Sequence, residues 1–112
     1  MAEIRDLVFK AVEAIEDKKG INVKVLNIEG LSPIADYFVL ASGTNPNQLH
    51  AMADEVTEKL AKEGSHPKQT EGYQTGNWIL IDYGDFIIHL FQEEAREFYN
   101  LERIWKDAKI EN

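Results

Sequence analysis

The chain has 112 residues with a net charge of −8, and 44% of its residues are hydrophobic. That size suits one domain with a modest core, and the charge argues against a direct nucleic-acid binder, because 20 acids against 12 dispersed bases repel phosphate. Cysteine is absent, so thiolate metal sites and disulfides are excluded. No run approaches the ~20 apolar residues of a membrane span. The charged first 19 residues lack the apolar segment of a signal peptide, so a cytoplasmic protein is expected.

Ile4, Leu7, Val8, Ala11, Ala14 and Ile15 fall on one helical stripe and predict an amphipathic helix over residues 3–19, closed by Gly20. Val23, Val25 and Ile28 predict a strand over residues 22–28. A turn at Gly30 to Pro33 leads to a second strand over residues 35–41, whose nearly continuous apolar run implies burial on both faces. The stretch Ser42 to Gln48 is helix-start chemistry. Asn45 is the N-cap, Pro46 the first helical residue and Gln48 the reciprocal member of a capping box. Leu49, Met52, Ala53, Val56 and Leu60 then mark the buried stripe of a helix ending at Gly64. Residues 65–73 are polar, and Pro67 confines them to an edge strand or an extended loop.

Two apolar runs, Trp78 to Asp82 and Asp85 to Phe91, flank Tyr83-Gly84 and predict an antiparallel hairpin. With Tyr83-Gly84 as the loop, Asp82 faces Asp85. One face carries Ile81/Phe86, Ile79/Ile88 and Asn77/Leu90, which is core-like. The other carries Leu80/Ile87 and Trp78/His89, and mixes aromatic, aliphatic and acidic groups as a docking surface does. Glu93 and Glu94 open a last helix that Lys106 and Lys109 close, with Phe98, Leu101, Trp105 and Ala108 as its apolar face and Tyr99 off that stripe. The fold class is α/β: a mixed five-stranded sheet with helices packed on it, in the order α-β-β-α-β-β-β-α, forming a single domain over residues 1–112.

Catalytic chemistry has one foothold. Asp36, Asp82 and Asp85 are carboxylates at strand ends, a pattern that can hold Mg²⁺ for nucleotidyl or phosphoryl transfer. Acids beside a tight turn are better explained as solvated turn formers, and no Asp-x-Asp pair on one strand reinforces the metal reading. Ser42-Gly43-Thr44 before a helix offers free N–H groups to an anion, but capping accounts for every residue there. His50, His66 and His89 are too scattered to be metal ligands, and no serine or threonine sits in a nucleophile elbow. Trp78 reads equally as a docking residue and as a side chain covered by a helix.

Several segments together resemble the ribosomal silencing factor family (RsfS, also called Iojap): Asp36-Tyr37-Phe38-Val39-Leu40-Ala41-Ser42-Gly43-Thr44, Trp78-Ile79-Leu80-Ile81-Asp82-Tyr83-Gly84-Asp85, Ile88-His89-Leu90-Phe91, Arg96, Tyr99-Asn100-Leu101-Glu102 and Trp105. The likeness runs from about Glu3 to Lys109, with Phe86 and Leu90 where valine is more familiar. It implies a non-enzymatic, cofactor-free factor on a nucleotidyltransferase-like scaffold. Such a factor binds the large ribosomal subunit through its protein number fourteen, blocks joining of the small subunit and represses translation when nutrients are short. The expected contact core is Trp78, Leu80 and His89, with Tyr99 beside it. Asp82, Asp85 and Glu102 would offer carboxylates to a basic partner. Homodimerisation through the same face is compatible with that role.

Overall fold

The computed structural model describes residues 3–100, 103 and 105–112, without the side chains of Phe98 and Tyr99. The elements in chain order are α1 (Ile4–Asp17), β1 (Ile21–Asn27), β2 (Tyr37–Gly43), α2 (Pro46–Ala61), β3 (Gln69–Glu71), β4 (Trp78–Asp82), β5 (Phe86–Gln92), α3 (Glu93–Tyr99) and β6 (Lys109–Ile110). The strands form one mixed sheet in the order β3-β4-β5-β2-β1-β6, with β2 and β5 parallel and the other neighbours antiparallel.

The helical stripes read from the sequence are buried. Val8, Ala11, Ala14 and Ile15 of α1 and Leu49, Met52, Val56 and Leu60 of α2 pack against one face of the sheet with Ile79, Ile81, Ile88 and Leu90. Every residue of β2 is buried, because helices lie on one side of it and a second apolar cluster on the other. At the start of α2 the Asn45 carboxamide oxygen accepts from the Gln48 amide at 2.8 Å. The Gln48 side chain reaches the Thr44 amide at 2.7 Å, one residue earlier than a standard capping box, and donates to the carbonyls of Lys18 and Lys19. One glutamine thereby ties the end of α1 to the start of α2.

Gly20 follows α1 as expected, but its task differs. Lys19 takes the left-handed conformation, at φ 65°. A Cβ on Gly20 would lie 2.3 Å from Ile15 Cγ2 and 2.9 Å from Met52 Sδ, so the glycine permits close helix packing.

Three expectations are corrected. The sheet has six strands among the described residues, not five, because Lys109 and Ile110 pair with Asn27 and Leu26. The last helix does not run to Lys109. Its C-cap, Asn100, adopts φ 44°, a left-handed stop, and Trp105 to Asp107 form a turn. Trp105 and Ala108 therefore pack from beyond α3, while Leu101 and Glu102 lie outside the described residues.

The hairpin register is the third correction. Trp78 opposes Phe91, Leu80 opposes His89 and Asp82 opposes Ile87. The two-residue turn is Gly84-Asp85, closed by the Tyr83 amide donating to the Phe86 carbonyl at 3.0 Å. This register gives the first turn position to glycine at φ 90° and stacks Tyr83 on Phe86 with ring centroids 4.8 Å apart. It also separates Asp82 from Asp85, which the other register sets opposite each other. A slip of two residues leaves every side chain on its original face, so the division into core and second face survives.

Candidate functional site

The second face of the sheet is built in rows across the strands. Asp82, Ile87, Phe38 and Leu26 form one row, Leu80, His89 and Leu40 the next, and Trp78, Phe91 and Ser42 the third. Ile87, Phe38, Leu26, Leu40 and Phe91 are buried with Ala95 of α3, and Trp105 and Ala108 pack on the same cluster. On the β4 side the cover thins. Trp78, Leu80 and Asp82 are only half-buried, and Gln69 to Glu71 of the neighbouring edge strand are exposed. Trp78 is thus partly covered and partly open to water.

An aromatic cluster fixes its orientation. The Trp78 ring sits 4.9 Å from Phe91, and its indole N–H donates to His89 Nδ1 at 3.1 Å. His89 is itself buried at 5% exposure, with Phe38 edge-on at 4.8 Å and Phe91 parallel at 6.0 Å. Burial pushes the imidazole down to about 4, so the ring is neutral at ordinary pH. Since an indole N–H can only donate, Nδ1 carries the lone pair and Nε2 the proton. The buried Nε2 has no hydrogen-bond partner among the described residues. Trp105 extends the cluster by lying edge-on to Phe38 at 5.5 Å.

The acids gather at one corner. The Asp82 carboxylate accepts from the Gly84 amide at 2.7 Å, which is turn chemistry, while Asp85 is exposed. Glu71 opposes Leu80 across the β3–β4 pair, and Lys68 lies beside Gly84. The Asp36 amide donates to the Asp85 carbonyl at 2.8 Å, which brings the β1–β2 loop to the same corner with Leu31 and Ile34 exposed on it. Among the described residues, no group of three His, Cys, Asp or Glu side chains could hold a metal ion.

The structure thus brings together Trp78, Leu80 and His89, with His89 beneath the surface, and sets Asp82 and Asp85 apart from Trp78 at the turn end of the hairpin. Tyr99 ends α3 with its side chain outside the description, and Glu102 is likewise undescribed. Sequence reasoning missed the role of Arg96, which is buried and donates from Nη1 to the Asn22 carbonyl and to Ser42 Oγ, the latter at 3.0 Å. It thereby pins α3 to the start of β1, where the strand bulges between Ile21 and Lys24. It also missed the packing of Tyr73 on α2, by a stack on His50 and a hydrogen bond to Asp54. The Thr44 amide is taken by Gln48, so the turn before α2 serves the helix cap.

Residues 1–112 match the model of the family described as "Ribosomal silencing factor during starvation". The chain belongs to the ribosomal silencing factor family. It is similar to the factor of Halalkalibacterium halodurans, with 40% identity over 93% of this chain and 89% of that relative. A crystal structure of a Chromobacterium violaceum protein superposes with a TM-score of 0.91 at 31% identity, covering 94% of this chain and 88% of the other. A mouse relative named "Mitochondrial assembly of ribosomal large subunit protein 1" is 33% identical over 84% of this chain and 42% of its own length. No helix among the described residues is long and apolar enough to cross a membrane.

Proposed function

We propose that this chain is a non-enzymatic repressor of translation that docks on the large ribosomal subunit, at its protein number fourteen, and bars the small subunit from joining. The observation that carries the reading is the partly open Trp78 on a family member whose second sheet face carries acids at one corner. Trp78 and Leu80 supply the apolar contact, Glu71 stands opposite Leu80, and Asp82 and Asp85 add negative charge at the turn end of the hairpin. That arrangement fits a basic ribosomal protein, and it lets an acidic chain reach the ribosome without meeting RNA directly. The family match and the name of the mouse relative, which speaks of the large subunit, point the same way. On this reading Tyr99 and Glu102 belong to the rim of the contact, and the factor works in the cytoplasm.

Sucrose-gradient sedimentation with purified subunits tests the proposal. Co-migration with the large subunit, and loss of joined ribosomes on adding the small subunit, are expected. Migration at the top of the gradient refutes it. Removing the indole in Trp78→Ala should cost about 2 kcal/mol of binding, roughly a thirtyfold loss of affinity.

A further inference from the structure

We infer that His89 is a positioning residue for Trp78: it accepts the indole N–H from below and holds the ring in the orientation presented to the partner. The inference rests on the docking reading above and adds a residue that never reaches the partner.

The geometry separates two explanations for a histidine at this place. If His89 only filled space, a phenylalanine would do so without burying polar nitrogens. The surroundings are those of a phenylalanine site, with Phe38 edge-on, Phe91 parallel, and Leu80 opposite on β4. The imidazole instead leaves a buried Nε2–H without a partner among the described residues, which is a destabilising feature. What it supplies in return is Nδ1, 3.1 Å from the Trp78 indole nitrogen.

Trp78 needs that constraint because of where it lies. It opens β4, directly after Gly76 at φ 65° and the exposed Asn77, and it is only half-buried. Phe91 offers a platform at 4.9 Å, which sets the height of the ring, whereas the hydrogen bond to Nδ1 restrains its rotation about that platform. Fixing an aromatic anchor before contact removes part of the ordering cost of binding. The register helps, because His89 faces Leu80 and not Trp78, so it reaches the indole diagonally from below.

The test uses the full chain, purified large ribosomal subunits and the variants Trp78→Ala, His89→Phe and His89→Asn. Asparagine places Oδ1 where the imidazole has Nδ1. Two readouts are taken: affinity for the subunit, and hydrogen exchange of the indole N–H by NMR. The chain has two tryptophans, and Trp105→Phe assigns the signal. His89→Phe should bind about tenfold more weakly, in line with one lost hydrogen bond and a freed side chain, and its Trp78 indole should exchange at least about tenfold faster. His89→Asn should recover both to within about threefold. A folded His89→Phe that binds like the wild type, while Trp78→Ala loses its affinity, would overturn the positioning role and leave docking intact. Failure of His89→Asn to recover either readout overturns it as well. Wild-type binding by both Trp78→Ala and His89→Phe would remove the docking reading and this inference with it.

Discussion

Buried and neutral, His89 makes stability depend on pH over a range that carboxylates scarcely touch. Its folded value is about 4, against about 6.5 in an unfolded chain. Between those limits the unfolded chain takes up a proton that the folded chain refuses, so stability falls as pH falls. The stabilisation is complete above about pH 6.5 and is lost progressively toward about pH 4. Each pH unit in that window costs about 1.4 kcal/mol, and pH 5 lies about 1.5 units below the unfolded value. Acidification from pH 7 to pH 5 should therefore remove about 2 kcal/mol, a large share of the stability of a domain this size. Protonation also puts a second N–H at Nδ1, facing the indole N–H, so the acid form cannot keep the contact with Trp78. Urea unfolding at both pH values, on wild type and His89→Phe, isolates the effect because other titrating groups are shared and cancel in the difference. At pH 7 the two proteins should differ little, since the variant loses one hydrogen bond and also sheds a buried unpaired N–H. At pH 5 the variant should be the more stable by about 2 kcal/mol. Equal losses in the two proteins would show that the imidazole titrates freely and that its burial is not as described.

Further outcomes follow from other contacts. Asn45→Ala should lower stability by about 1 kcal/mol in thermal unfolding, because the amide of Gln48 loses its cap. Gly20→Ala should be destabilising by about 1–3 kcal/mol, since the new Cβ meets Ile15 and Met52 within 3 Å and the core must shift. Asp85→Asn should leave unfolding unchanged while slowing association with the large subunit at low salt, an effect that stopped-flow measurements should see vanish as salt screens the charge.

The sheet and its helices were legible wherever local chemistry and burial agree. The apolar stripes of α1 and α2, the Asn45-Pro46 start and the doubly buried β2 each state one pattern with one solution. The hairpin was legible in its faces and not in its register. Alternation fixes which side a residue takes, whereas the pairing depends on which two of Tyr83, Gly84 and Asp85 form the turn. Packing decided that, through the stack of Tyr83 on Phe86. The C-terminal strand had no local signal beyond Ile110 among charged residues. Its pairing is secured by contacts some 85 residues away, where Asn112 bonds the backbone of Val23 and Val25 and Glu111 bonds Asn27. No window along the chain contains both halves of such an arrangement.

The site divides along the same line. The face shared by Trp78, Leu80 and Asp82 was legible because alternation alone sets them on one side of that strand pair. His89 was assigned to the same face, and correctly so, but alternation says nothing about depth. Residues of β5 lie between β4 and β2, whereas those of β4 lie next to a three-residue edge strand. Identical positions on one face therefore end buried in β5 and half-open in β4. This difference between a central strand and its neighbour near the edge leaves Trp78 half-open and His89 buried beside it.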